Sequence, residues 1–409
     1  MSSDLSYNQK QEELKNYTKY IKEANDYIND SINTNNEKKC DELRTLAINV
    51  YEKLLSFTDI TDYLLLDSKP FFTKQKYIQV LFDLGTLYKT NAEYYAKCFL
   101  NGNNNYSERY IELVFKKSIS CYHTILRVEF ENKNATNQII SVYTQLCSLY
   151  SNSSLEKSCN LLQECLLFAP DSDIINYNLG FVYQKMNKLE QSVIHYKLSI
   201  SLLTFQLQNK KLEKREIDRN KNLLLNCYNG ISGIYRGIKS WPEALFWLLK
   251  AQNLNNLNPD IQNALGVVYT EMRRTDLAEA SYLKAIKNSE KAIISNKKDL
   301  LSEIYLNYGH MQSYNGDNNK SIECYNKALE ISPNLYLAFQ NKIMNLSYIF
   351  DELQDKLYIT KQHKLINKLL EKGNGKYAFN KKTFENISSK INIGIISGDF
   401  SEHPVSYFI

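Results

Sequence analysis

Apolar and small residues recur along this chain at two helical spacings, and the pair of spacings itself repeats. From Gln262, Leu265, Gly266 and Tyr269 are followed by Ala278, Tyr282 and Ala285. From Tyr305, Tyr308 and Gly309 are followed by Ser321, Tyr325 and Ala328, and Pro333 closes the stretch. From Asn176, Leu179, Gly180 and Tyr183 are followed by Ser192, Tyr196 and Ser199. In all three the small residues fall at offsets of 0, 12 and 19. Large, large, small and large at i, i+3, i+4 and i+7 make an apolar stripe on a first helix. Small, large and small at i, i+4 and i+7 make the facing stripe on a second helix. The small residues let two backbones approach, and the tyrosines fill the grooves.

Degenerate copies extend the array. Tyr228, Tyr235, Ala244 and Ala251 mark one; Leu146, Cys147, Tyr150, Ser158, Cys165 and Pro170 mark another. Leu84, Gly85 and Tyr88 pair with Ser118 and Tyr122 across an insertion. Ala47 and Tyr51 suggest the second helix of an earlier unit, and Lys10 to Ile32 reads as a lone amphipathic cap. The first-helix markers fall at 85, 147, 180, 232, 266 and 309, so two intervals are 33 and 34 and three are longer. This is the tetratricopeptide pattern of about 34 residues. It predicts an all-α fold, a tetratricopeptide-repeat superhelix or α-solenoid, whose first helices line a groove suited to extended polypeptides. The excess at Asn91–Ser107 reads as a loop, because Asn101-Gly102-Asn103 is turn chemistry. The excesses at Gln206–Asn222 and Asn288–Asp299 are charged and helix-favouring, and predict lengthened helices.

After Pro333 the period changes. Asn334 to Asp351 and Leu353 to Gly373 read as two further helices, and a polar connection runs to Lys390. The last residues, INIGIISGDFSEHPVSYFI, read as a buried β-strand, a turn at Ser397-Gly398-Asp399 and the first turn of a helix. The predicted organisation is a capping helix at 1–37, repeats with insertions at 38–333, a helical transition and linker at 334–390, and the start of an α/β domain at 391–409.

Composition narrows the classes. Fifty basic and 45 acidic residues are interspersed, for a net charge of +5, which supplies no basic stripe for nucleic acid. Even Lys210–Lys221 contains Glu213, Glu216 and Asp218 and reads as a solvated helix face. Eight cysteines form no C-x-x-C pair and read as small buried thiols in a reducing compartment. The N-terminus has no apolar signal core, and no stretch approaches a membrane span, so a cytoplasmic or nuclear protein with no membrane partner is expected. His123, His195, His310 and His363 fall in helical patterns and read as structural.

The order of parts, with Gly394, Ser397, Asp399, Phe400 and His403 in the C-terminal segment, resembles the entry to the catalytic region of the SPINDLY and O-GlcNAc transferase family. The segment from Gln340, QNKIMNLSYIFDELQDKLYITKQHK, is similar to the SPINDLY branch. The resemblance implies an inverting protein O-glycosyltransferase with a Rossmann-like catalytic region. It would transfer a sugar from UDP-GlcNAc or GDP-fucose to Ser or Thr of nuclear and cytosolic proteins, without a metal or other cofactor. It implies that His403 is catalytic at the cleft, and a His beyond the end of a first strand is suitably placed to orient or deprotonate a hydroxyl; packing or turn capping is the other role open to it. Asp399 reads as a turn or cap residue. The catalytic region would begin where this chain stops, so the 409-residue chain is expected to be inactive alone and to supply acceptor binding. In O-GlcNAc transferases an asparagine two residues before each first-helix marker clamps the peptide backbone. The equivalents here are Asp83, Gln145, Asn178, Gly230, Ala264 and Asn307, so the ladder is interrupted. Asp83, Gln145, Asn178 and Asn307 are the candidate acceptor-peptide residues. The resemblance also allows a homodimer paired through the repeats. The alternative is a non-catalytic scaffold or adaptor for protein–protein interaction.

Overall fold

The computed structural model describes residues 7–56, 74–102, 105–209, 212–291, 297–349 and 360–361. The chain divides into two units, Met1–Asn288 and Ser289–Ile409. In the first unit, α1 (Tyr7–Asn33) packs on α2 (Glu37–Ser56), α3 (Lys74–Leu100) on α4 (Glu108–Val128) and α5 (Lys133–Tyr150) on α6 (Leu155–Phe168). The same pairing joins α7 (Asp173–Lys185) to α8 (Leu189–Leu207) and α9 (Lys214–Gly237) to α10 (Trp241–Leu254). The last pair is α11 (Pro259–Glu271) and α12 (Thr275–Lys291), met at Gly266 and Tyr282. The second unit holds α13 (Lys297–Tyr314), α14 (Asn318–Ile331) and α15 (Tyr336–Ile349); α14 packs on both of the others.

The helices start where short polar side chains can close the free amides. Ser107, Asn132, Ser154, Ser172 and Asn258 each accept from an amide in the first turn of α4, α5, α6, α7 and α11 respectively. Replacing such a cap costs about 1 kcal/mol. Three pairs turn through a residue in the left-handed region seven places after the first-helix marker: Asn187 (φ 57°), Lys239 (φ 58°) and Arg273 (φ 57°). Gly316 (φ 82°) holds the same place in the second unit without a Cβ penalty.

The offset pattern is a close-approach device. A Cβ on Gly85, Gly180, Gly266 or Gly309 would stand 2.5–2.9 Å from a ring atom of Tyr122, Tyr196, Tyr282 or Tyr325 respectively. Those four tyrosines are buried. Where the second helix carries Leu162 or Leu248 in place of tyrosine, the marker is Cys147 or Ser232. Serine on the second helix adds a bond at closest approach: Ser118, Ser158 and Ser192 donate to the carbonyls of Gly85, Cys147 and Gly180 at 2.7, 3.1 and 2.6 Å.

Two expectations change. The segment from Asn91 is not a loop at its start, because α3 continues to Leu100. Asn91 is buried there and accepts from Arg44 Nε at 2.6 Å, so a polar residue lies inside the packing. The N-terminal helix is not alone, since α1 packs along α2 as the first member of a pair. The excess at Gln206–Asn222 does lengthen α8 and α9, to 19 and 24 residues, with a break between them. The expected C-terminal strand and turn, His403, and nearly all of the predicted helix from Leu353 lie outside the described residues.

Candidate functional site

Successive first helices of the first unit touch: α3 meets α5, α5 meets α7, and α7 meets α9. The second helices α4, α6, α8 and α10 do not meet one another to that degree, so packing is tighter on the first-helix side. A band of polar side chains stitches this layer. Lys89 of α3 donates to Gln138 and Ser141 of α5 at 3.1 and 2.8 Å. Gln145 of α5 donates through Nε2 to Glu93 of α3 at 2.5 Å. Asn178 of α7 points Nδ2 at Thr144 of α5 at 3.5 Å, and Arg219 of α9 faces Asp173 of α7 at 3.5 Å.

The candidate peptide residues therefore occupy the expected helices, but the polar groups of Gln145 and Asn178 brace the layer. Asp83 on α3 accepts from Gln79 at 2.8 Å, with the Tyr51 hydroxyl at 3.5 Å. Burial pushes its carboxyl up, partly offset by those two bonds. Gln145 and Asn178 reach the first helix of the preceding pair. Gly230, at the break in the asparagine series, has a clear reason to be glycine: a Cβ there would stand 2.6 Å from Tyr196 Cζ. One ring thus fills the space beside two glycines, Gly180 and Gly230. Asn307 is half-buried on α13 in the second unit.

An open pocket of about 590 Å³ adjoins this band where α5, the start of α7, the end of α8 and the start of α9 converge. Gln145 and Thr144 form one side, and Asp171, Ser172, Asp173 and Arg219 the other. Sequence reasoning missed Asp173 because an acid at a helix start reads as ordinary capping chemistry; Ser172-Asp173 after Pro170 was its only trace.

The histidines within the described residues lie on helices. His195 Nδ1 lies 3.0 Å from Asn176 Oδ1 and its ring stacks near Tyr183; burial lowers its pKa. His123 packs on Phe168 and is lowered by burial too, although Glu164 pulls it up. His310 stacks near Tyr314. Six cysteines are buried, and Cys40 and Cys98 are half-buried. Among the described residues, no group of three or more His, Cys, Asp or Glu is placed to hold a metal ion, and no helix is long and apolar enough to cross a membrane.

No curated protein matches the chain. Among solved structures, it is similar to YrrB, titled a TPR protein with an unusual peptide-binding site, at 15% identity over 54% of this chain and 97% of that one, TM-score 0.39. BtubC from P. vanneervenii is similar at 16% identity, covering 53% and 87% respectively, TM-score 0.44. Yeast Tom70 is similar at 12% identity, covering 94% and 69%, TM-score 0.40. The tetratricopeptide repeat family matches residues 175–202 and 259–334. The chain thus carries tetratricopeptide repeats, set among helix pairs that repeat their close-approach geometry in degenerate form.

Proposed function

We propose that this chain is a protein-interaction scaffold whose first-helix layer holds an extended polypeptide. The observation that carries the reading is the polar band across α3, α5, α7 and α9, next to an open pocket. Stacked first helices of this kind present an elongated surface, which suits an extended chain better than a compact small molecule. The test is capture of peptides from a random 12-residue displayed library. Asn178→Arg on the first-helix layer should abolish capture, while Leu198→Arg on α8, where Leu198 is exposed, should not. No capture at all, or equal loss in both variants, sinks the reading.

A second reading rests on Gly394, Ser397, Asp399, Phe400 and His403, which lie outside the described residues. Under it the repeats deliver Ser or Thr acceptors to a protein O-glycosyltransferase in cytosol and nucleus, with UDP-GlcNAc or GDP-fucose as donor and His403 as a catalytic residue that orients or deprotonates the acceptor hydroxyl. The protein expressed from its full coding sequence would be incubated with either donor and with captured peptides. Transfer that disappears in His403→Ala while folding is kept supports this reading; no transfer from either donor rejects it.

A further inference from the structure

Two side chains that line the pocket between α5 and α7 each carry an oxygen that is sealed from solvent and that nothing among the described residues satisfies: Asp173 Oδ2 and Gln145 Oε1. Asp173 is only 6% exposed. Its other oxygen, Oδ1, accepts from the amide of Ile174 at 2.8 Å and faces Arg219 Nη2 at 3.5 Å. The Gln145 amide has one orientation consistent with its partner. Its Nε2 meets the Glu93 carboxylate, and a flipped amide would set two acceptors together. Both unpaired atoms are therefore acceptors, and one belongs to a carboxylate. Asp171 adds a second carboxylate at the rim, and Arg219 is the only cation in the lining. The Arg219 side chain is 53% exposed and pairs with Asp173 only through Oδ1, at a long 3.5 Å, which leaves Oδ2 unmet. A buried acceptor without a donor is costly, and the cost is largest when the group is charged. The volume, about 590 Å³, exceeds many times the ~30 Å³ share of one water.

We infer that this pocket takes a lysine or arginine side chain from the bound polypeptide, whose N–H groups reach Asp173 Oδ2 and Gln145 Oε1 as Arg219 swings aside. The inference rests on the polypeptide-scaffold reading and adds a side-chain preference to it. An acidic residue would meet two carboxylates, and an apolar one would leave both acceptors unmet.

The test uses the whole chain and the same random 12-residue library. Captured peptides should share one Lys or Arg position. Changing that residue to Gln should weaken binding about tenfold, the scale of one charge-assisted hydrogen bond. Asp173→Asn keeps an acceptor for the Ile174 amide and removes the charge. It should cut the Lys-to-Gln discrimination to less than about twofold. Arg219→Ala removes the competing internal cation and should tighten Lys- and Arg-bearing peptides several-fold, which keeps the test open if Asp173→Asn folds poorly. Captured peptides without a basic position, discrimination untouched by Asp173→Asn, or no gain in Arg219→Ala overturns the inference and leaves the scaffold reading standing. Capture of no peptide overturns both.

Discussion

In the α7/α8 pair the Tyr196 ring lies 2.7 Å from where a Cβ on Gly180 would stand, whereas in the neighbouring α5/α6 pair the matching positions hold Cys147 and Leu162. The first pair turns through Asn187 in the left-handed region; the second turns one residue sooner, with Ser154 extended at φ −156°. Both keep the serine bond across the closest approach. The α5/α6 pair carries something α7/α8 lacks. Glu112 of α4 accepts from Lys157 of α6 at 2.6 Å, from Tyr150 of α5 at 2.8 Å and from Lys116 at 2.9 Å, with Lys157 Nζ 3.9 Å above the Tyr150 ring. One pair is closed by a ring filling the space beside glycine, and the other combines smaller packing with a charge cluster. In a repeat array each contact stabilises mainly its own unit and the adjoining interfaces, so the two solutions can be perturbed separately.

The strongest blow to this contrast is Tyr196→Ala. It empties the space beside both Gly180 and Gly230, and loss of a buried aromatic costs about 3–5 kcal/mol. Urea unfolding should show that loss, and hydrogen exchange should place it in α7, α8 and α9 with α5 and α6 less affected. A loss below about 1 kcal/mol would mean that the ring is not what closes the pair.

A smaller effect of opposite chemistry comes from Gly180→Ala. Alanine is the better helix former by about 1 kcal/mol, so propensity alone predicts a gain. The new Cβ would meet the Tyr196 ring, which Gly230 confines from another side, and overpacking costs about 1–3 kcal/mol. The net sign should be destabilising. Adding Tyr196→Leu imitates the Ser232/Leu248 arrangement and removes the clash at Gly180, so the double mutant should lose less than the two single changes summed and the cycle should show strong coupling. Additive effects would break the account of why glycine pairs with tyrosine here.

That covariation also marks how far the sequence can be read. The offsets of 0, 12 and 19 are legible because each helix pair makes its own close approach from nearby residues. Tyr196 and Gly180 are only 16 positions apart, so their size relation is visible on paper. Arg44 and Asn91 are 47 apart, and nothing local signals that Asn91 is buried in a continuing helix. A polar residue inside α3 resembles a loop residue until its distant partner is known. The candidate site meets the same limit. The helix positions of Asp83, Gln145 and Asn178 follow from the repeat, but whether their polar groups face a ligand or a neighbour depends on side chains such as Glu93 and Thr144 from another repeat. Asp173 was hidden because only the assembled pocket distinguishes it from a first-turn acid.

Acid should separate the two pairs by the smallest margin and in a defined window. Burial pushes Glu112 up, but hydrogen bonds from Lys157, Lys116 and Tyr150 outweigh it and hold its carboxyl down at about 2, against an ordinary 4.5. A depressed carboxyl contributes stability that is fully present above its unfolded value and is lost as pH falls through the folded one. The Glu112 contribution therefore fades between about pH 4.5 and 2. Histidine titration does not mark the same difference, because each region buries one. His123 on α4 and His195 on α8 are both lowered by burial, so each region loses some stability as pH falls from about 6.5. Protection of α6 and α8 from hydrogen exchange, corrected for intrinsic rates, should fall in parallel down to about pH 4.5 and diverge below it, with α6 weakening faster. Glu112→Gln should weaken α6 at neutral pH and remove the divergence. If α6 and α8 stay parallel to pH 2 in the unaltered chain, the charge cluster does not hold the α5/α6 pair, and Cys147 with Leu162 must close it by packing alone.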